Sequence, residues 1–271
     1  MSPEIITIGI MDMLFPFGGI NSFIYPGDSV FLKPHCRVNA QPYQAENIDP
    51  AFLNGVVNLC FEAGASKVFI GEYPLEDGAF RSSGIEDVAM RNGAELLDLS
   101  KTTPVKRRLD DALIMENAEY YNEPLLTDVF INLPKLKTDE EGLLECAFAN
   151  LAALLGPNLP EKYHHHKDRL MVDTLNVFRP DLTLVDGFLA YRQGEPVPGH
   201  VFFAGIDTLA VDVIAATLMG VELNDMPGHR LAAQYGLGTI NGAEISVFGA
   251  DIRQIMEELQ SVDLDEAFFD D

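Results

Sequence analysis

Two lysines near the middle of the chain occupy a position suited to binding an anion. Lys135 and Lys137 lie in the stretch Leu133-Pro134-Lys135-Leu136-Lys137-Thr138, directly after an apolar run that predicts a buried strand. Side chains two residues apart on extended backbone point to the same side of the chain. The two ammonium groups can therefore bind one carboxylate or phosphate together.

The residues that follow predict a helix at this junction. Thr138 and Glu141 have the spacing of a capping box. We therefore expect a helix from Asp139 whose free amides add positive charge. The acids of its first turn, Asp139, Glu140 and Glu141, would also repel an incoming anion. The alternative is that one lysine pairs with these acids while the other is solvated.

A second basic segment follows another predicted strand. Lys33, His35 and Cys36 come within four residues, after the apolar run at 30–32. The carboxyl ends of strands border the ligand crevice of open α/β sheets. A lysine, an imidazole and a thiol there can bind an anion, transfer a proton or ligate a metal. The alternative is that Cys36 is a small buried residue and His35 makes a local hydrogen bond.

Three further groups are weaker candidates. Consecutive histidines at 164–166 point in different directions and zinc needs three or four ligands, so a polar loop with one packed histidine is the alternative to a metal site. Asp186 ends a predicted strand and can hold a metal, a hydroxyl or a lysine, or simply form an Asp-Gly turn. Asp212 lies in an apolar helix, so we expect it either on an exposed stripe or paired with Lys33 or Lys135.

Strand and helix patterns alternate along the chain, which predicts an α/β fold with a largely parallel or mixed central sheet and helices on both faces. The expected strands are 29–33, 67–72, 95–99, 128–133, 182–186, 200–205 and 244–248. The expected helices are 50–63, 82–92, 139–155, 208–219, 226–235 and 252–260. Residues 187–199 and 101–108 are predicted loops. We expect one domain over 1–262, with 73–125 as an alternative small inserted lobe, and an acidic C-terminal tail at 263–271.

Composition restricts the partners and the location of the protein. The net charge of −24 is expected to repel nucleic acid and anionic membrane surfaces. No apolar run is long enough to predict a membrane span, and the N-terminus lacks the pattern of a secretion signal. The three cysteines have no pairing or C-x-x-C spacing, which favours a cytoplasmic protein without an iron–sulfur cluster of its own. No dinucleotide, P-loop or serine-hydrolase motif is present in the sequence.

An ordered set of motifs resembles the domain-of-unknown-function 362 family over about residues 28–248. The matching pieces are Gly27-Asp28-Ser29-Val30 with Lys33-Pro34, Leu133 to Thr138, Tyr163-His164, Val185-Asp186-Gly187, Gly205 to Asp212 with Leu218-Met219-Gly220, and Gly236-Leu237-Gly238.

The resemblance implies a cytoplasmic α/β protein that is often associated, in its family, with ferredoxin-type modules. It also draws attention to His164 within Tyr-His and to Asn150, where Phe148-Ala149-Asn150 stands in place of Leu-Lys-Asn. The chain departs from the family pattern at Asp139, where histidine is frequent, and at Ala149, where a lysine is lost. The ferredoxin cysteines are missing, so the resemblance implies a divergent member.

Our leading hypothesis is an enzyme acting on a small anionic, carboxylate-type metabolite. Lys33, Lys135 and Lys137 would bind and polarise the anion, His35 or His164 would transfer a proton, and Asp186 would orient a partner; Asn150 would help to bind the substrate. The second hypothesis is a metal-binding or iron–sulfur-associated accessory protein that works with a redox partner. A third is a non-catalytic subunit of a complex, and a homo-oligomer is a further alternative. The sequence determines neither a cofactor nor a metal.

Overall fold

The computed structural model describes residues 3–156 and 163–261, with the backbone alone for Pro3 and His164. The tail predicted at 263–271 lies outside the described residues. Within them, seven strands form the central sheet and two more form a separate antiparallel pair. The strands are β1 Ser29–Pro34, β2 Lys67–Glu72, β3 Glu95–Asp98, β4 Val105–Arg108, β5 Asn117–Tyr120, β6 Val129–Leu133, β7 Lys135–Lys137, β8 Leu182–Arg192 and β9 Glu195–Gly205.

The central sheet is mainly parallel, as predicted. Its strand order is β3-β2-β1-β6-β8, and β7 and β9 both pair with β8. All neighbours run parallel except β9, which runs antiparallel to β8. β4 pairs only with β5, outside this sheet.

Helices connect the strands. They are α1 Pro3–Leu14, α2 Pro50–Glu62, α3 Ala79–Ser82, α4 Ile85–Asn92, α5 Ala147–Ala152, α6 Lys167–Val177, α7 Thr208–Met219, α8 Pro227–Gln234 and α9 Ile252–Gln260. Carboxylates cap the N-termini of two of them: Asp49 accepts from the Ala51 amide at the start of α2, and Asp207 accepts from the Leu209 and Ala210 amides at the start of α7. Such carboxylates satisfy amides that have no partner inside the helix.

Alternation along the strands places cores on both faces of the sheet. Val30 and Leu32 of β1 face a core that contains Leu53 of α2, while Phe31 points to the opposite face and packs with Leu170 of α6. Neighbouring residues of a strand point to opposite faces, so an uninterrupted apolar strand needs helices on both sides. The predicted three-layer arrangement is therefore present.

The helix predicted from Asp139 is wrong. Leu143 donates its amide to the Asp139 side chain at 2.7 Å, and Gly142 has a φ of 85°. These features close a turn over 139–142, and Thr138 then bridges Leu144 in antiparallel fashion. The helix begins only at Ala147, because glycine in the left-handed region interrupts the helical path.

The loop predicted at 187–199 is also wrong. β8 and β9 form one long hairpin across it, with a register shift between Gly187 and Leu189. A Cβ on Gly199 would lie 2.1 Å from the Gly187 carbonyl oxygen, so this close strand approach requires glycine. Pro196 and Pro198 lie on β9, which pairs on one side only, where a missing amide is tolerated.

Smaller differences occur elsewhere. The strand predicted at 244–248 is absent from the structure, which has a turn followed by irregular backbone there. The helix predicted at 82–92 begins at Ile85, after the short helix α3. The predicted loop at 101–108 ends in strand β4, where Lys106 pairs with Glu119 at 2.6 Å. The sequence interpretation also missed α1, β5 and α6 entirely.

Across residues 3–156 and 163–261, every helix is too short or too polar to cross a lipid bilayer.

Candidate functional site

The strand order reverses at the carboxyl edge of the sheet, between β1 and its two neighbours. From β1 the chain proceeds to β2 and β3 on one side and later returns to β6 on the other side. In open α/β sheets, ligands bind outside the carboxyl ends of the strands at such a reversal. Pro34 ends β1 opposite Leu133, which ends β6. The segments that leave these two strands carry His35 and Lys135.

Most of the site residues predicted from sequence lie at this edge. We call them the edge cluster: Lys33, His35, Lys135, Lys137, Asn150 and Asp186. His164 belongs to a 3-10 turn at His164–His166 before α6, and its side chain lies outside the described atoms. Whether it contributes to the site stays a prediction.

Lys33 is held in a fully buried polar network. Its Nζ lies 2.6 Å from Glu72 Oε2 and 3.0 Å from Asn150 Oδ1, and neither charged side chain is exposed. Asn150, on α5, donates to the Lys33 carbonyl and to Asn132 Oδ1. Burial lowers the pKa of Lys33, while the charge of Glu72 opposes this change. Asn150 therefore helps to fix the position of the Lys33 ammonium group.

Lys135 forms a second buried ion pair. Its Nζ lies 2.8 Å from Asp186 Oδ2, and the same oxygen accepts the Asp49 amide at 2.8 Å. The Ile48 amide, one residue earlier, donates to the His35 carbonyl. The segment that caps α2 thus connects this ion pair with the backbone of His35. A buried carboxylate with several donors is well suited to orienting a lysine.

Lys137 is the more accessible lysine of the pair. Its side chain is 13% exposed, and its Nζ lies 3.5 Å from Glu145 Oε2 and 5.0 Å from the centre of the Tyr191 ring. Glu145 reaches it because the 139–142 turn folds the chain back, and the Glu145 amide donates to the Lys137 carbonyl. The alternative in which one lysine pairs with the acids at 139–141 and the other is solvated is wrong, because Lys137 pairs with Glu145 and the buried Lys135 pairs with Asp186.

His35 lies among the positive charges of the site. Its side chain is buried, and burial lowers its pKa well below the ordinary value of 6.5. The charges of Lys137, Lys33 and Arg37 lower it further, and a hydrogen bond with Asn150 acts in the opposite direction. The imidazole is consequently neutral at pH 7, the form that can accept a proton.

Cys36 is placed as a buried residue. Its Sγ lies 3.3 Å from Ser83 Oγ, and its amide donates to Glu72. Burial raises the pKa of the Cys36 thiol to about 12. Since the thiolate is the nucleophile, this cysteine is unreactive near neutral pH.

The expected pairing of Asp212 with Lys33 or Lys135 is wrong. Asp212 is buried and lies 2.8 Å from Nε2 of His229, a residue that the sequence interpretation missed. Its carboxylate also accepts the Ala147 and Phe148 amides at 2.6 and 3.0 Å, so it caps α5. The free helix amides expected near the lysines are therefore already occupied by a carboxylate.

This contact links α7 and α8 to the edge cluster. The Ala147 carbonyl accepts from the Asn132 side chain, and Asn132 in turn accepts from Asn150. A continuous polar chain thus extends from His229 through α5 to Lys33. Sequence alone gives no signal for it, because Asp212 and His229 lie on different helices and meet only in the tertiary structure.

Within the described part of the chain, no group of three or more His, Cys, Asp or Glu side chains is arranged to hold a metal ion. Lysines flank a buried imidazole, and buried carboxylates hold two of those lysines in place.

Comparison with known proteins agrees with the sequence motifs. The profile of a family described as a domain of unknown function, DUF362, matches residues 30–217. The chain belongs to the DUF362 family. The match includes every member of the edge cluster, so these residues lie within the family domain.

A more distant similarity extends beyond that domain. The thylakoid-associated protein sll1697 of Synechocystis sp. strain PCC 6803 is 28% identical over 243 residues, which cover 83% of this chain and 73% of that protein. No solved structure matches the chain. The fold is therefore described from this chain alone.

Proposed function

We propose that this DUF362 member is an enzyme that binds a small anionic metabolite of the carboxylate type and transfers a proton at the edge cluster. The observation that carries the proposal is the gathering of three lysines, the buried Lys33 and Lys135 and the partly exposed Lys137, at the same sheet edge as the buried His35, where the strand order reverses. A carboxylate binds where cations are preorganised, and a neutral imidazole accepts a proton.

The proposed roles follow from burial. Lys137 contacts the ligand, since it is the partly exposed lysine whose acidic partner lies at the long distance of 3.5 Å. His35 accepts the proton. Lys33 and Lys135 supply positive charge from buried positions, where Glu72 and Asp186 hold them. His164 is proposed as a further contact on the strength of the family motif.

The setting of the protein is also a proposal. We place it in the cytoplasm, without a nucleic-acid or membrane partner, because its net charge of −24 opposes both. The cyanobacterial relative is named for an association with thylakoids. For the present chain, attachment to an anionic lipid surface would have to overcome its own charge.

The proposal is tested by ligand-induced thermal stabilisation at constant ionic strength. Acetate, malonate and inorganic phosphate are added to the wild type, to Lys137→Ala and to Lys106→Ala, a matched control on the exposed strand β4. A ligand at about one hundred times its Kd adds about 2.7 kcal/mol to stability, so the wild-type Tm should rise by roughly 5–10 °C. The control should respond equally, and Lys137→Ala should not respond. Equal responses of all three proteins, or of none, would contradict the proposal.

A further inference from the structure

An arginine near the edge cluster has a buried guanidinium nitrogen without a hydrogen-bond partner among the described residues. This nitrogen is the Nε of Arg37, which lies two residues after His35. Among the described residues, no Asp or Glu side chain forms an ion pair with Arg37. An unsatisfied buried donor costs about 1–3 kcal/mol, and more when it is charged.

The main chain of Arg37 is nevertheless fixed on both sides. Its amide donates to Asn47 Oδ1 at 3.0 Å, and its carbonyl accepts the amides of Leu75 and Glu76 at 2.8 and 3.2 Å. Asn47 is itself buried and also donates to the Val38 carbonyl. Two separate segments therefore hold the main chain of Arg37 near the carboxyl edge of the sheet.

The acids near Arg37 have other partners. Glu72 accepts from Lys33, from the Cys36 amide and from the Tyr73 amide. Glu76 donates its amide to the Arg37 carbonyl, and its side chain accepts the Asn39 amide at 2.8 Å. A charged side chain whose main chain is fixed and whose buried Nε lacks an acceptor among the described residues is well suited to a ligand oxyanion, which the planar fork of arginine binds in bidentate fashion.

We propose that Arg37 binds one negatively charged oxygen of the substrate while Lys137 binds a second, so that the site takes small dianions in preference to monoanions. This inference rests on the proposed function, because it places its ligand at the same sheet edge. It adds a residue that the sequence did not single out, and it narrows the substrate class to dianions, whose two charges lie on two carboxylates or on one phosphate. Dicarboxylates and phosphorylated compounds share this chemistry.

The test compares charge selectivity in three proteins. Malonate and inorganic phosphate serve as dianions and acetate as the monoanion, and their Kd values are measured by calorimetry at constant ionic strength for the wild type, Arg37→Gln and Arg81→Gln. Arg81 is an exposed arginine paired with Glu86, which makes it the matched control. Loss of a charged hydrogen-bonded contact should weaken dianion binding by about 10- to 100-fold in Arg37→Gln. Acetate binding should change less than threefold, and Arg81→Gln should match the wild type.

Two further measurements separate binding from a structural role. Arg37→Lys keeps the charge but loses the fork, so its dianion affinity should fall between those of the wild type and Arg37→Gln. Without ligand, Arg37→Gln should unfold at the same urea concentration as the wild type or a higher one, because its buried Nε has no hydrogen-bond partner to lose among the described residues. A clear drop in that midpoint with unchanged dianion selectivity would assign Arg37 a structural role and overturn the inference.

The remaining outcomes distinguish a failure of this inference from a failure of the proposed function. If dianions bind the wild type and Arg37→Gln equally but fail to bind Lys137→Ala, the anion site stands and the role of Arg37 is refuted. If neither malonate nor phosphate binds the wild type more tightly than acetate, the dianion inference is overturned. If none of the three anions binds at all, the proposed function fails together with it. Binding of phosphate but not of malonate to the wild type would identify the ligand as a phosphorylated compound. Binding of malonate but not of phosphate would identify it as a dicarboxylate.

Discussion

Lys33 and Glu72 form an ion pair of 2.6 Å between Nζ and Oε2, although neither side chain is exposed to solvent. They come from adjacent parallel strands, β1 and β2, at the edge where these strands end. Removing two charges from water costs several kcal/mol, which the pair and the hydrogen bonds from Cys36 and Tyr73 offset. The ion pair thus holds this edge of the sheet in one arrangement.

Breaking this ion pair should destabilise the protein strongly. Lys33→Met leaves Glu72 buried without its counterion, and we expect the free energy of unfolding to fall by about 3–5 kcal/mol in urea titrations. The double variant Lys33→Met/Glu72→Gln should recover part of the loss, because neither charge remains. Lys106→Met on exposed β4 should leave the urea midpoint unchanged. A single variant as stable as the wild type would show that the ion pair is not maintained in solution.

The pH dependence of stability should report on His35. Its pKa lies well below the ordinary value of 6.5 because of burial and of Lys137, Lys33 and Arg37. As pH falls through 6.5, the unfolded chain therefore takes up the proton before the folded protein does, and stability decreases. The stabilising contribution is complete above pH 6.5 and is lost progressively below it.

His35→Gln removes this titration while keeping a side chain of similar polarity. Urea unfolding at pH 7.5, 6.5, 5.5 and 5.0 should show a stability difference between wild type and variant that shifts in favour of the variant as pH falls. Carboxylates titrate in both proteins, so the difference isolates the imidazole. Parallel curves would mean that His35 titrates normally in the folded state.

The cysteines should be inert in the folded protein. Cys36, Cys60 and Cys146 are all buried, and burial raises the pKa of both Cys36 and Cys60 to about 12. Reaction with iodoacetamide at pH 8 should therefore be negligible until urea unfolds the chain, after which all three should be alkylated. Mass spectrometry of the intact protein counts the adducts. Rapid alkylation at Cys36 alone would instead support a nucleophilic role.

Asp212 should connect α5 to ligand binding. Asp212→Ala removes the acceptor of two α5 amides and of His229, and we expect a loss of about 3–5 kcal/mol in the free energy of unfolding together with a weaker malonate response. His229→Gln retains both amide contacts and should cost less in each measurement. Equal effects of the two substitutions would show that the helix cap is not the important contact.

The elements near the start of the sheet were predictable because local signals agree with the fold. Asp49 and Pro50 mark the first turn of α2, and the apolar runs of β1 and β2 have the length of buried strands. The lysines of the edge cluster follow from the same reasoning, since they come directly after predicted strands.

Other features depend on contacts that no local pattern reveals. Pro196 and Gly199 resemble loop residues, yet they fit an edge strand and a close strand approach. The capping-box spacing of Thr138 is overridden by the turn at Gly142. Arg37 is a single arginine in a loop, and only the lack of a partner for its buried Nε draws attention to it.

The central claim is that an anion binds beside the neutral imidazole of His35, and NMR of the histidine rings tests it most directly. Malonate is titrated into wild-type protein and Lys137→Ala at pH 7 and constant ionic strength, with the His35 signal assigned from His35→Gln. The account predicts that the His35 ring signal moves saturably in the wild type and hardly moves in Lys137→Ala. A His35 signal that stays fixed in the wild type, or that moves equally in both proteins, would contradict it.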